Sequence, residues 1–141
     1  DFILIDFEGD PARPLTERKI KRSPLRDVAT MIRSFHYAAY SPLYGAESGR
    51  GILPGHVRDE DREGLRHWAR FWYSWVVSRF VQSYYSTMGN NPYLPSSPVI
   101  CQELLELFVL DKAVSELGND LMHRPAWVPV PLTGLLEMLE S

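Results

Sequence analysis

Two groups of residues have types and spacings that can do chemistry. The first is Asp6-Phe7-Glu8, which follows the apolar run Phe2-Ile3-Leu4-Ile5 and runs straight into Gly9, Asp10 and Pro11. Four β-prone apolar residues closed by turn formers read as a short buried strand over residues 1–8, with Asp6 aimed outward at its end. A carboxylate held in this way suits a hard cation such as Mg2+, which takes oxygen ligands and is usually bound by one or two carboxylates plus substrate phosphates. The same pattern also describes an Asp that caps a turn. The second group is Lys112, Ser115, Glu116 and Asn119, whose spacing of three and four puts them on one face of a helix. On pattern alone that face emerges into solvent, with Lys112 and Glu116 as an ordinary i,i+4 ion pair.

The elements that position these groups are helical. Ser23 and Pro24 give a cap followed by proline, and Leu25, Val28, Ile32, Phe35 and Ala39 recur at helical spacing, so a helix is expected from about Pro24 to Tyr40. Asp27 falls in its first turn, where exposed N–H groups and the macrodipole favour a negative charge. Residues 41–58 are rich in Gly and Pro and read as a long loop, in which His56 has no partner at metal-ligand spacing. Asp59, Glu60 and Asp61 open a helix expected to reach about Thr87. Its face of Leu65, Trp68, Phe71, Trp72, Trp75, Val76 and Phe80 is read as core rather than as a sugar-stacking surface. Tyr84 and Tyr85, at its end, are freer to contact something else.

Ser97 and Pro98 repeat the cap and proline, starting a helix expected to run to about Met122. One stripe along it, Leu110, Val114, Leu117 and Leu121, is apolar to the end. Another starts as Cys101, Leu104, Leu105 and Phe108 and turns into the polar group Lys112 to Asn119. After it, prolines around Trp127 imply an extended tail from His123 to Pro131 with the indole as a plug, and Leu132, Leu135, Leu136 and Leu139 imply a short closing helix.

With 141 residues and 45% hydrophobic composition, the chain is expected to form one mainly α-helical domain, helical over 24–141. A net charge of −3 gives no footprint for nucleic acid or an anionic membrane, and no apolar stretch is long enough to span a bilayer. The single cysteine, Cys101, reads as a packed thiol and fits a reducing cytoplasm. The basic run from Arg18 to Arg22 reads as a solvated loop. Beginning at Asp1, in or beside a strand, the chain is expected to be a piece of something longer whose partner strands lie upstream.

Several blocks carry a family resemblance. Ile5-Asp6-Phe7-Glu8-Gly9 resembles the metal-binding segment of kinases similar to aminoglycoside and choline phosphotransferases, where Asp-aromatic-Glu replaces the Asp-Phe-Gly of protein kinases. Asp10 to Leu15, Ser23 to Ala29, Asp111-Lys112-Ala113-Val114 and Arg124 to Pro129 extend it. In order and spacing these blocks resemble the C-terminal part of maltokinases, of the type fused behind a trehalose synthase. The resemblance implies a helical C-lobe fragment of a protein-kinase-like fold with a short N-terminal β remnant. It implies ATP and Mg2+, with Asp6 on the metal and Glu8 beside it, and Asp27 bracing the catalytic loop. Lys112, Ser115, Glu116 and Asn119 would then contact maltose or a related sugar. Ser115 and Asn119 stand where the family usually carries two tyrosines, which removes aromatic surface from that face. The catalytic base, a second metal ligand and the phosphate-binding lysine match nothing in this chain, so the implied enzyme needs an upstream kinase lobe, and the fragment alone is expected to be inactive. A kinase for another small molecule, or a noncatalytic helical module, are the alternatives.

Overall fold

The computed structural model describes residues 14–44 and 57–140. The expected strand over 1–8, with Asp6 and Glu8, and the loop histidine His56 lie outside the described residues. Within them the chain is mainly helical, with no strand. A single short turn of helix, α1 (Leu15–Arg18), is followed by α2 (Leu25–Tyr44), a 3-10 turn (Asp59–Asp61), α3 (Arg62–Met88), α4 (Pro98–His123), a second 3-10 turn (Pro125–Trp127) and α5 (Pro129–Leu139). The α1 turn ends at Arg18, where the basic segment begins, and that segment remains largely exposed.

The helix starts follow from local chemistry. Ser23 Oγ accepts the Leu25 amide at 3.3 Å, and Ser97 Oγ accepts the Ile100 amide at 3.5 Å with Pro98 behind it. Each satisfies a donor that the first turn leaves without a helical partner. Asp27 occupies the first turn of α2 as expected, exposed. Gly89, in the left-handed half of backbone space at φ 52°, ends α3 where a side chain would be strained.

α2 is the hub, packing on α3, α4 and α5, whereas α3 packs on α2 and on the 3-10 turn before it. Val28, Ala29 and Ile32 of α2 meet Leu105 and Val109 of α4, with Tyr73, Val77, Phe80, Val81 and Tyr84 of α3 closing over them. A second cluster joins Tyr40 and Leu43 to Val130 of α5, with Trp127 against it. Full burial of a Val, Leu or Ile side chain stabilises by about 1.5 to 3 kcal/mol, so these few side chains set the packing of α2.

Three expectations are corrected. α2 does not stop at Tyr40 but runs through Pro42 to Tyr44; Pro42 only removes one helix hydrogen bond, and Tyr40 and Leu43 are buried on either side of it. The tail from His123 is not extended: Pro125 and Pro129 sit in the first turns of the 3-10 turn and α5, where a missing N–H costs nothing. Of the expected core face of α3 only its C-terminal end holds, with Phe80 packed on the core and Val76 half-buried. Leu65, Trp68, Phe71, Trp72 and Trp75 are exposed, Trp68 at 69%, because α3 rests on α2 through a different side, carried by Tyr73, Val77 and Tyr84. A helix apolar on more than one side gives its period no way to choose the buried one.

On α4 the buried line is Cys101, Leu105, Val109 and Ala113, ending at Asp120, while Leu110, Val114 and Leu121 are exposed. Cys101 is a buried thiol, its Sγ donating to the Pro95 carbonyl at 3.2 Å. In α5 the buried side is Val130, Pro131, Thr133 and Gly134, not the leucines, of which Leu132, Leu136 and Leu139 are exposed.

Gly134 is where α5 closes on α2. A Cβ there would collide with Arg33 Nη1 and lie 3.0 Å from His36 Nε2, whereas one at Gly118, in α4, would meet nothing within 4 Å. Gly134→Ala is expected to cost about 1 to 3 kcal/mol of stability through overpacking, and Gly118→Ala to stabilise by about 0.5 to 1 kcal/mol. Urea unfolding of the two variants checks both signs.

Candidate functional site

A group of polar side chains lines an open cleft of about 560 Å³ between α2 and α4. Lys112, Ser115, Glu116 and Asn119 form its α4 wall, so the structure brings together all four residues that the sequence placed on one helix face. Arg26, Thr30, Ser34 and Tyr37 of α2 form the other wall, and Arg124 closes one end. The volume falls within the range of small-molecule sites, about 300 to 1,000 Å³.

Glu116 is the fixed point of this wall. Arg33, only 1% exposed, donates from Nε to Glu116 Oε2 at 2.8 Å, and Lys112 Nζ lies 3.7 Å from Glu116 Oε1. The i,i+4 pair expected from the sequence is therefore present, but the stronger partner of Glu116 comes from α2. Each carboxylate oxygen has two acceptor positions, so Glu116 keeps capacity for a ligand hydroxyl after both cations are counted. Ser115 donates its hydroxyl to the Asp111 carbonyl at 2.8 Å, and Asp111 in turn meets Arg26 at 3.4 Å. Asn119 is exposed at the cleft.

One turn further, Asp120 is wholly buried and is held by two donors: Tyr37 Oη at 2.7 Å and Arg124, whose Nη2 lies 2.7 Å and Nε 3.0 Å from Oδ1. Burial and the hydrogen bond to Asp120 raise the Tyr37 phenol far above its ordinary value, so it remains a donor. Tyr37 stacks on Trp127, with Arg124 over the indole at 5.5 Å from the ring centroid. Trp127 is therefore a plug, as expected, but one that also fixes the tyrosine and the arginine at the cleft.

Behind Arg33 lies a second polar group. His36, 1% exposed, stacks on Tyr40 and meets the Tyr73 ring edge-on. Its Nε2 is 3.8 Å from Glu137 Oε2, an ion-pair distance too long for a hydrogen bond, while Tyr40 donates to Glu137 Oε1 at 2.5 Å. Burial and the neighbouring Arg33 lower the imidazole's pKa from 6.5, although Glu137 opposes them. Burial pushes the Glu137 carboxyl up, but His36 and Tyr40 outweigh it and leave the value lowered.

The sequence reading missed Arg33, His36, Tyr37, Asp120 and Arg124. A signal for the α2 members existed: Ala29, Arg33, His36, Tyr40 and Leu43 repeat at intervals of four and three on the buried side of the helix. Asp6 and Glu8 lie outside the described residues, and among those described no three His, Cys, Asp or Glu side chains group as a metal site. No described helix is long and apolar enough to cross a membrane.

Removing Glu116 strands a buried guanidinium, so Glu116→Ala is expected to cost about 3 to 5 kcal/mol, against at most about 0.5 kcal/mol for Lys112→Ala, as measured by denaturant unfolding. A second outcome concerns pH. Because folding lowers the His36 pKa, the unfolded chain takes up that proton first, and stability should decline as pH falls below about 6.5. Glu137, whose folded pKa is also lowered, adds its own loss only as pH falls below about 4.5. Stability measured from pH 7.5 to 5 should show the first decline, and His36→Gln should flatten it.

No protein-family model matches the chain.

Proposed function

We propose that the chain is the acceptor-binding helical part of an ATP-dependent small-molecule kinase, and that the acceptor is maltose or a related sugar, phosphorylated to the sugar 1-phosphate. The observation that carries this reading is the gathering of Lys112, Ser115, Glu116 and Asn119 on one wall of a polar cleft. Sugars are recognised by fixed hydrogen-bonding partners, and the carboxylate of Glu116, immobilised by Arg33, is such a partner. Arg124, at one end of the cleft, adds a donor, and Tyr37, on the facing wall, presents its oxygen as an acceptor while donating to Asp120. The helical architecture is compatible with the C-lobe of a kinase-like fold. In this reading Asp6 holds Mg2+ against the phosphates of ATP, Glu8 and Asp27 support the surrounding backbone, and the base comes from an upstream lobe, behind a trehalose synthase domain in the fused type.

Two other readings compete. A kinase for an aminoglycoside-like or choline-like acceptor would share the Asp6 segment and use a different cleft chemistry. A noncatalytic helical module would draw on the exposed aromatic side of α3, which includes Trp68, Phe71, Trp72 and Trp75.

Lys112 is the clean probe, since it borders the cleft half-exposed and its loss should leave the fold intact. In the intact kinase, Lys112→Ala should lower kcat/KM for maltose about tenfold with an unchanged unfolding midpoint, because a hydroxyl partner is lost from the site. Ser115→Tyr with Asn119→Tyr should favour maltose over smaller sugars by restoring ring-stacking surface. Steady-state assays of ATP consumption with maltose check both. Unchanged sugar kinetics in both variants would sink the acceptor role of the cleft, and absence of any sugar-dependent turnover would sink the kinase reading.

A further inference from the structure

A separate cavity of about 240 Å³ lies between α2, α3 and α5, lined by Arg33, His36, Arg70, Tyr73, Ser74 and Glu137, among others. Two of its lining side chains are almost completely buried and incompletely partnered. Arg33 Nη2 has no hydrogen-bond partner although Nε is spent on Glu116, and neither ring nitrogen of His36 has one. Buried polar groups are ordinarily satisfied, and each orphan of this kind calls for a physical reason. The space beside them is kept open by Gly134, where a Cβ would run into the guanidinium and the imidazole. Arg70, on α3 and exposed, adds a second guanidinium at the mouth.

We infer that this cavity is a binding site for a small oxyanion of the phosphate or sulfate class, held by Arg33, His36, Arg70 and the hydroxyl of Ser74. Donors dominate the lining. The one carboxylate, Glu137, already accepts from Tyr40 and stands 3.8 Å from His36. Arginine forks match the oxygens of such an anion, and a charge-assisted hydrogen bond is roughly twice as strong as a neutral one. A bulk water occupies about 30 Å³, so the cavity has room for a four-oxygen anion.

The charges around His36 set how such a ligand would bind. Facing it are Arg33 on its own helix, Arg70 and Tyr73 on α3, Glu116 on α4 and Glu137 on α5. With the imidazole neutral, the two arginines are balanced by the two glutamates. With it protonated, one positive charge is left over for an anion, so binding takes up a proton on His36. The site does not depend on the kinase reading, because it lies on the other side of Arg33 from the polar cleft and uses α3 and α5.

The test is thermal unfolding of the 141-residue chain titrated with sodium sulfate and with inorganic phosphate, against sodium chloride at matched ionic strength. Sulfate and phosphate should each raise the midpoint saturably beyond chloride. Sulfate keeps its charge across neutral pH, so its apparent affinity should fall about tenfold for each pH unit above 6.5, as expected when one proton is taken up on binding. Arg70→Gln, an exposed position, should abolish the shift, and sulfate should raise the titration midpoint of the His36 ring resonance in NMR. A rise no larger than that with chloride, or one undiminished in Arg70→Gln, would overturn the site.

Discussion

A guanidinium removed from water must find a carboxylate, and the fold is arranged around that constraint at Arg33. Its partner, Glu116, lies on another helix, so the ion pair fixes α2 against α4 at one height and one rotation. The same guanidinium limits how α5 can approach, because only a residue without a Cβ fits at Gly134. Tyr40 and Glu137 then bind α5 to α2 from the far side. Such a pair contributes little net stability compared with an apolar replacement. What it supplies is geometry, since apolar contacts such as Ile32 on Leu105 would tolerate a small slide that a 2.8 Å hydrogen bond does not.

Arg33 also stands between two open spaces. Its Nε side fixes the Glu116 carboxylate at the polar cleft, and its Nη side borders the cavity lined by His36 and Arg70. The cleft and the cavity therefore have one structural wall in common. Asp120 plays a similar part lower on α4, where a wholly buried carboxylate orients Tyr37 and Arg124, and through them Trp127. Glu116, Tyr37 and Arg124 at the cleft thus each trace back to a buried charge one layer behind them.

Much of this was legible in the sequence, and what was not has physical reasons. Ser23-Pro24 and Ser97-Pro98 marked two helix starts to within a residue, because capping is local chemistry. The polar face of Lys112 to Asn119 was found because four residues at helical spacing share a face in any helix. The end of α2 was missed because a proline reads as a stop, whereas Tyr40 and Leu43 are buried around Pro42 and outweigh one missing hydrogen bond. The aromatic side of α3 was misassigned because periodicity finds a face but not the neighbour that covers it. Arg33, His36 and Asp120 were overlooked because a charged residue is read as surface until its partner is known, and those partners lie on other helices or, for Asp120, in part so.

The sequence distances spanned by this polar core bear on the order in which it can assemble. Arg33 is separated from Glu116 by 83 positions, and Tyr40 from Glu137 by 97. On a ribosome that releases the chain from its N-terminus, α2 emerges while α4 and α5 have yet to be made. Burial of its hub face at that stage would leave the Arg33 charge without Glu116, a cost of several kcal/mol. α2 is therefore obliged to wait, with its Leu25 to Ile32 surface open, until α4 with Glu116 has been synthesised. The residue that organises the finished core is also the one that delays its closure.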